Sequence, residues 1–127
     1  MATATLTDAY ANLRRDAALD GTTDIRVYYL AIGTDSTAPA ASDTQLGAEV
    51  FRKAITASEA GAGAGESIFT LYLSPQEAIG VAIAEVGWFA GSSASATANS
   101  GVLVARGLYS HTKTANESIV YPFDLTL

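Results

Sequence analysis

The sequence predicts a mainly β domain, an antiparallel β-sandwich or barrel-like fold with an N-terminal α-helix and one short helical turn. Three observations carry this. Six or so segments rich in β-branched and aromatic residues recur at regular spacing, and stretches bearing Gly, Ser, Asp or Pro separate them. Only residues 7–21 combine helical spacing with a cap at each end. The chain accordingly divides into an N-terminal helix or arm, residues 1–22, and a β-rich domain, residues 23–127.

In the arm, Thr7 offers a capping hydroxyl, Asp8 places a carboxylate in the first turn, and Gly21 stops the helix. Tyr10, Leu13 and Ala17 form its apolar stripe. The stripe is narrow, so the helix is expected to pack on a neighbouring subunit. Residues 25–32 are apolar on both sides, the pattern of a strand buried on both faces. A loop over 33–42 follows, then a helical turn at 44–48 and a strand from Glu49 to Ala57. Gly61, Gly63 and Gly65 mark a turn, residues 67–74 the next strand, and Pro75 a further turn.

The longest strand is read over residues 79–90. A strict period of two puts Ile79, Val81, Ile83, Glu85 and Phe89 on one face and Ala82, Ala84, Val86 and Trp88 on the other. Residues 91–100, made of Gly, Ser, Ala, Thr and Asn apart from nothing bulkier, form an exposed loop. Strands over 102–109 and 118–127 complete the fold. In the last, Ile119, Tyr121, Phe123, Leu125 and Leu127 face inward, and Pro122 in the alternation suggests a half-exposed edge.

Composition narrows the function classes. The 127 residues suit one domain with a modest core. A net charge of −6 without a basic cluster disfavours nucleic-acid binding through phosphate neutralisation. The absence of cysteine removes disulfides, thiolate metal sites and cysteine nucleophiles. No run of apolar residues reaches the roughly 18 of a membrane span, and the N-terminus lacks a secretory pattern, so release into the cytoplasm of the producing cell is expected. Only 16% of residues are charged, against about 25% in ordinary domains. A surface that bland suits a protein covered by copies of itself or by other proteins.

Several segments taken in order give a resemblance. Residues Ala31-Ile32-Gly33-Thr34, Pro39, Asp43-Thr44 and Leu46-Gly47-Ala48-Glu49-Val50-Phe51-Arg52 are followed by Ile83-Ala84-Glu85-Val86-Gly87-Trp88-Phe89, Gly101-Val102-Leu103-Val104-Ala105-Arg106 and Lys113-Thr114-Ala115-Asn116-Glu117-Ser118. Together they resemble the N-terminal attachment domain of phage tail-collar and tail fibre proteins, over about residues 24–127. The resemblance implies a non-enzymatic virion part, commonly trimeric when it carries a fibre. Its partners would be itself, as a homotrimer, and other phage tail, baseplate or capsid proteins. A fibre protein would continue into a shaft, so an adaptor, collar, short fibre base or decoration subunit is expected here. Two alternatives stay open, a capsid decoration (cement) protein and a receptor- or glycan-binding module that uses the 91–100 loop.

Chemical candidates are few, and no cofactor is called for. Glu85 sits among apolar neighbours and needs an arginine, Arg52 or Arg106, because a buried unpaired carboxylate is strongly unfavourable. A structural ion pair is the expectation, ahead of a catalytic acid. Glu49 and Arg52, close in the motif, are the other ion-pair candidates. His111 is the lone histidine, and a triad with Ser110 and Asp124 lacks a nucleophile elbow. Asp35 and Asp43 do not have the spacing of a calcium loop, and the 61–65 glycines lack the Lys-Ser/Thr of a phosphate loop. Tyr10, Leu13, Trp88 and Phe89 are the candidates for a subunit interface, with Trp88 equally suited to the core.

Overall fold

The computed structural model describes residues 2–127. Nine strands form two sheets that pack face to face. The strands are β1 (Ala2–Thr3), β2 (Thr5–Leu6), β3 (Val27–Gly33), β4 (Glu49–Ala54), β5 (Ser58–Ala60), β6 (Glu66–Leu73), β7 (Ala82–Ala90), β8 (Val102–Thr112) and β9 (Ile119–Thr126), with α1 (Asp8–Asp20) between β2 and β3. One sheet has the order β1-β9-β6-β5 and the other β2-β8-β7-β3-β4. All pairings are antiparallel except β1 with β9. The expected mainly β, sandwich-like fold with an N-terminal helix is what forms.

The core between the sheets follows from alternation. Phe69, Leu71 and Leu73 of β6 and Ile119, Phe123 and Leu125 of β9 meet Leu30 and Ile32 of β3, Val86 and Trp88 of β7 and Val104 of β8. Trp88 lies at the centre, its ring 5.0 Å from Phe123 and 6.1 Å from Phe69. Such ring pairs add to the area they bury.

The helix forms as its caps predict but packs differently from expectation. The Thr7 hydroxyl accepts the Tyr10 N–H and donates to the Leu103 carbonyl, while Gly21 at φ 70° bonds back to Ala17. Tyr10 is 3% exposed and its hydroxyl bonds the Ile25 carbonyl at 2.9 Å. The stripe of Tyr10 and Leu13 therefore packs on the chain's own core. Residues 2–6 cross from one sheet to the other, adding a short strand to each, so the N-terminal segment is part of the sandwich.

Other boundaries shift where backbone chemistry overrides pattern. The first long strand starts at Val27, and Ile25 is exposed, because Asp24 caps its own turn by accepting the Arg26 N–H at 2.9 Å. Residues 44–48 make bends rather than a helical turn. Their N–H groups at Gly47 and Ala48 are drawn to the Glu85 carboxylate, each at 2.8 Å, which removes donors a helix would need. The 79–90 strand begins at Ala82, and a register shift between Ile83 and Glu85 breaks its alternation. Ile83 consequently joins Val86, Trp88 and Ala90 in the inter-sheet core, while Phe89 packs on the opposite face. The proline-bearing β9 pairs with β6 along its length, and on its other side β1 covers only Phe123 and Asp124, so among the described residues the remainder of that side is an edge, as the proline suggests.

Candidate functional site

The chemistry of this chain is concentrated on the outer face of the five-stranded sheet. There a second apolar cluster, Ala31, Leu46, Phe89 and Leu103, is roofed by the 34–48 loop. Strand β3 is thus buried on both faces as its composition requires, with Leu30 and Ile32 toward the other sheet and Ala31 under the loop. Gly87 admits Leu46, because a Cβ there would lie 2.7 Å from Leu46 Cδ2 and 3.0 Å from Leu103 Cδ1.

Two buried ion pairs flank this cluster. Glu85 and Arg106 form the first, with Arg106 Nε donating to Glu85 Oε1 at 2.8 Å and side chains 0% and 3% exposed. The carboxylate also accepts backbone N–H groups, from Gly47 on Oε1 at 2.8 Å and from Ala48 and Asp35 on Oε2 at 2.8 and 3.0 Å. The guanidinium turns its remaining donors to the Thr37 and Asp35 carbonyls, at 2.7 and 3.0 Å. Every polar contact of the pair beyond itself goes to the 34–48 loop, including Asp43, whose carboxylate lies 3.7 Å from Arg106. The pair is a staple: strands supply the charges and the loop supplies the peptide groups that solvate them.

Glu49 and Arg52 form the second staple. Their carboxylate and guanidinium meet in a two-point contact, at 2.8 and 2.9 Å, with both side chains 2% exposed. Arg52 Nη1 donates to the carbonyls of Ser95 and Ser100 and to the Ser100 hydroxyl, and Glu49 accepts the Asn99 N–H. The guanidinium centre lies 4.3 Å from the Phe89 ring centroid, a cation–π contact in a desolvated place. This staple holds the 92–101 loop as the first holds 34–48.

All four residues singled out as ion-pair candidates are therefore paired, Glu85 with Arg106 and Glu49 with Arg52. The interface candidates go elsewhere. Tyr10, Trp88 and Phe89 are buried within the chain, and Leu13 packs against its core while remaining partly exposed. Their apolar character could not distinguish an internal from an external contact.

The remaining chemical candidates have local partners. His111 bonds Glu117, not Asp124, and Glu117 also accepts the Thr114 N–H and hydroxyl. The Thr114 hydroxyl, followed by His111, holds the Glu117 carboxyl below its ordinary range. Asp35 accepts from Thr37 and Asp43 from Ala40, each closing its own loop turn. Among the described residues no three His, Cys, Asp or Glu side chains gather as a metal site would require. Two shallow cavities, of about 350 and 250 Å³, are lined by Thr3, Ala4, Leu6, Asp124 and Thr126 and by Ala57, Ser58, Glu59 and Thr70. Neither touches a staple.

Sequence reasoning missed two buried or bridging lysines. Lys113 is 1% exposed and donates to the Thr114 and Pro75 carbonyls, at 2.9 and 3.4 Å. Lys53 reaches from β4 to Glu77 at 2.7 Å and to the Tyr72 carbonyl, with its ammonium 4.9 Å from the Tyr72 ring centroid. Pro75, Tyr72 and Glu77 give no local spacing signal, because only the fold brings them to these lysines.

The staples fix two loops whose exposed surface is almost free of charge. Thr34, Ser36, Thr37, Ala38, Thr44, Gln45, Ser92, Ser93, Thr97 and Asn99 point outward from a backbone anchored beneath. Such a surface can present small hydroxyls and amides in fixed positions, and it carries no acid, base and nucleophile in contact. No protein-family model matches this chain, and no curated protein or solved structure matches it either.

Proposed function

We propose that this chain is a non-enzymatic bacteriophage virion component of the tail-fibre-attachment or adaptor type, which assembles with copies of itself on the tail or baseplate. The observation that supports this reading is the pair of staples. The segments that carry the resemblance supply Glu49, Arg52, Glu85 and Arg106, and these four side chains use their hydrogen-bonding capacity on two loops. Side chains invested in loop geometry are what a docking part needs, since a loop already ordered loses little entropy when a partner covers it. The low charge of the loops suits contact with another protein more than contact with an ionic ligand.

Mapping the protein in a virion reconstruction tests this directly. Density for the sandwich at the tail or baseplate supports the proposal, density on the head assigns the decoration role, and absence from purified particles overturns both. Light scattering supplies a second test, in which a particle of single-chain mass at all concentrations counts against self-assembly.

A further inference from the structure

The sandwich has one side where both sheets end in unfinished edges. Residues 2–6 close part of it, as β1 on β9 and β2 on β8, but β2 pairs only with Ala105 and Arg106. Above that point β8 continues through Leu108, Tyr109, Ser110, His111 and Thr112 with β7 on one side and, among the described residues, no strand on the other. A row of unpaired backbone groups on a strand five residues long is a template for another strand. Residues 2–6 show that this side of the molecule accepts added strands.

The other edges carry devices that discourage pairing, and this one does not. Strand β4 bears Lys53 and pairs with β3 through a register shift at Gly33, β5 has three residues including Glu59, and β9 carries Pro122 and Asp124. Residues 108–112 contain no acid, lysine, arginine or proline. Leu108 is also one of the few large apolar side chains left exposed, at 42%.

We propose that a second copy of this chain pairs its β8 edge with that of the first, antiparallel and centred on Ser110, joining the two five-stranded sheets into one. The register sets Leu108 opposite Thr112 and Tyr109 opposite His111, cross-strand neighbours without like-charge repulsion. A strand of any other protein would need its own matching edge, whereas a two-fold contact supplies the same uncharged edge twice. This rests on the self-assembly reading above and narrows it to assemblies containing a two-fold contact, in place of the trimer that the resemblance implies.

Light scattering and amide hydrogen exchange on the full chain test the proposal. The expected wild-type mass is an even multiple of the chain's, and Leu108→Lys and Ser110→Lys each reduce it to the single-chain mass while the circular dichroism spectrum stays native. In the wild type, exchange of the 108–112 amides slows as concentration rises. A three-subunit particle, an assembly untouched by both substitutions, or exchange at 108–112 independent of concentration overturns the β8 contact and leaves self-assembly standing. A wild-type chain that is monomeric throughout overturns both. The exchange measurement decides the matter even where a lysine variant fails to fold.

Discussion

Arg106 Nε donates to Glu85 Oε1 at 2.8 Å, and the two side chains that make this contact are the anchor of a loop, with three loop N–H groups on the carboxylate and two loop carbonyls on the guanidinium. An isolated buried pair can often be replaced by apolar residues without loss. Here the replacement would strand the peptide groups of Asp35, Gly47 and Ala48. Glu85→Ala is therefore expected to destabilise the fold by about 3–5 kcal/mol, the range for an uncompensated buried charge. The double substitution Glu85→Leu with Arg106→Leu should recover only part of that loss. Denaturant unfolding of the three proteins measures this, and a double variant as stable as wild type would show that the loop does not depend on the pair.

Arg52 answers to a more local test. Its Nη1 donates to the Ser95 carbonyl at 3.0 Å and the Ser100 carbonyl at 2.9 Å while the Nε and Nη2 hold Glu49. Lysine keeps the charge but has no planar fork with which to do both. Arg52→Lys is expected to cost about 1–3 kcal/mol, in keeping with lost charge-assisted hydrogen bonds. Its effect should concentrate in residues 92–101, read as faster amide exchange there, with β6 and β9 unchanged. Faster exchange spread evenly over both sheets would contradict the staple.

The legible part of this fold is what depends on neighbours in sequence. The Thr7 and Gly21 caps, the doubly buried β3 and the inward alternation of β9 all rest on patterns within a dozen residues. The need of Glu85 for an arginine was also readable, since burial of a lone carboxylate is prohibitive in any fold. Which arginine it takes was not, because Arg106 reaches it through the register that pairs Gly87 with Arg106 in adjacent strands. The bend at 44–48 was hidden for the same reason: a helical turn and a loop bound to Glu85 differ only by a carboxylate about 40 positions away. The register shift after Ile83 likewise arises in β8, where the strand has one more residue than its partner between the paired positions.

Gly33 tests how tightly the first staple is built. A Cβ at this position would lie 2.5 Å from Glu85 Oε2 and 2.5 Å from the Ala48 carbonyl oxygen. The carboxylate could move only by giving up its loop donors, and the carbonyl is held by the Thr34 N–H at 3.1 Å. Gly33→Ala should thus cost about 1–3 kcal/mol from overpacking. Gly63→Ala, where an added Cβ would come no nearer than 3.7 Å to the Glu66 Cβ, should be far milder. Thermal unfolding of the two variants compares them, and equal losses would mean that Gly33 is not confined.

Acid stability offers a probe of the helix end. Asp20 closes α1, where the dipole disfavours a negative charge. Its carboxylate nevertheless accepts the Thr23 hydroxyl and the N–H groups of Thr22 and Thr23. These bonds, the Thr23 hydroxyl foremost, bring its pKa down from 3.8 to about 2. A depressed carboxyl stabilises the folded state fully above the unfolded value of 3.8, and the contribution is lost as pH falls toward about 2. Proton titration followed by nuclear magnetic resonance should place Asp20 well below the ordinary carboxylate range, at about 2. Thr23→Val should shift it upward toward its ordinary value and narrow the acid range over which the turn after α1 persists. An Asp20 that titrates at the ordinary value in the wild type would mean that the turn is not held by this side chain in solution.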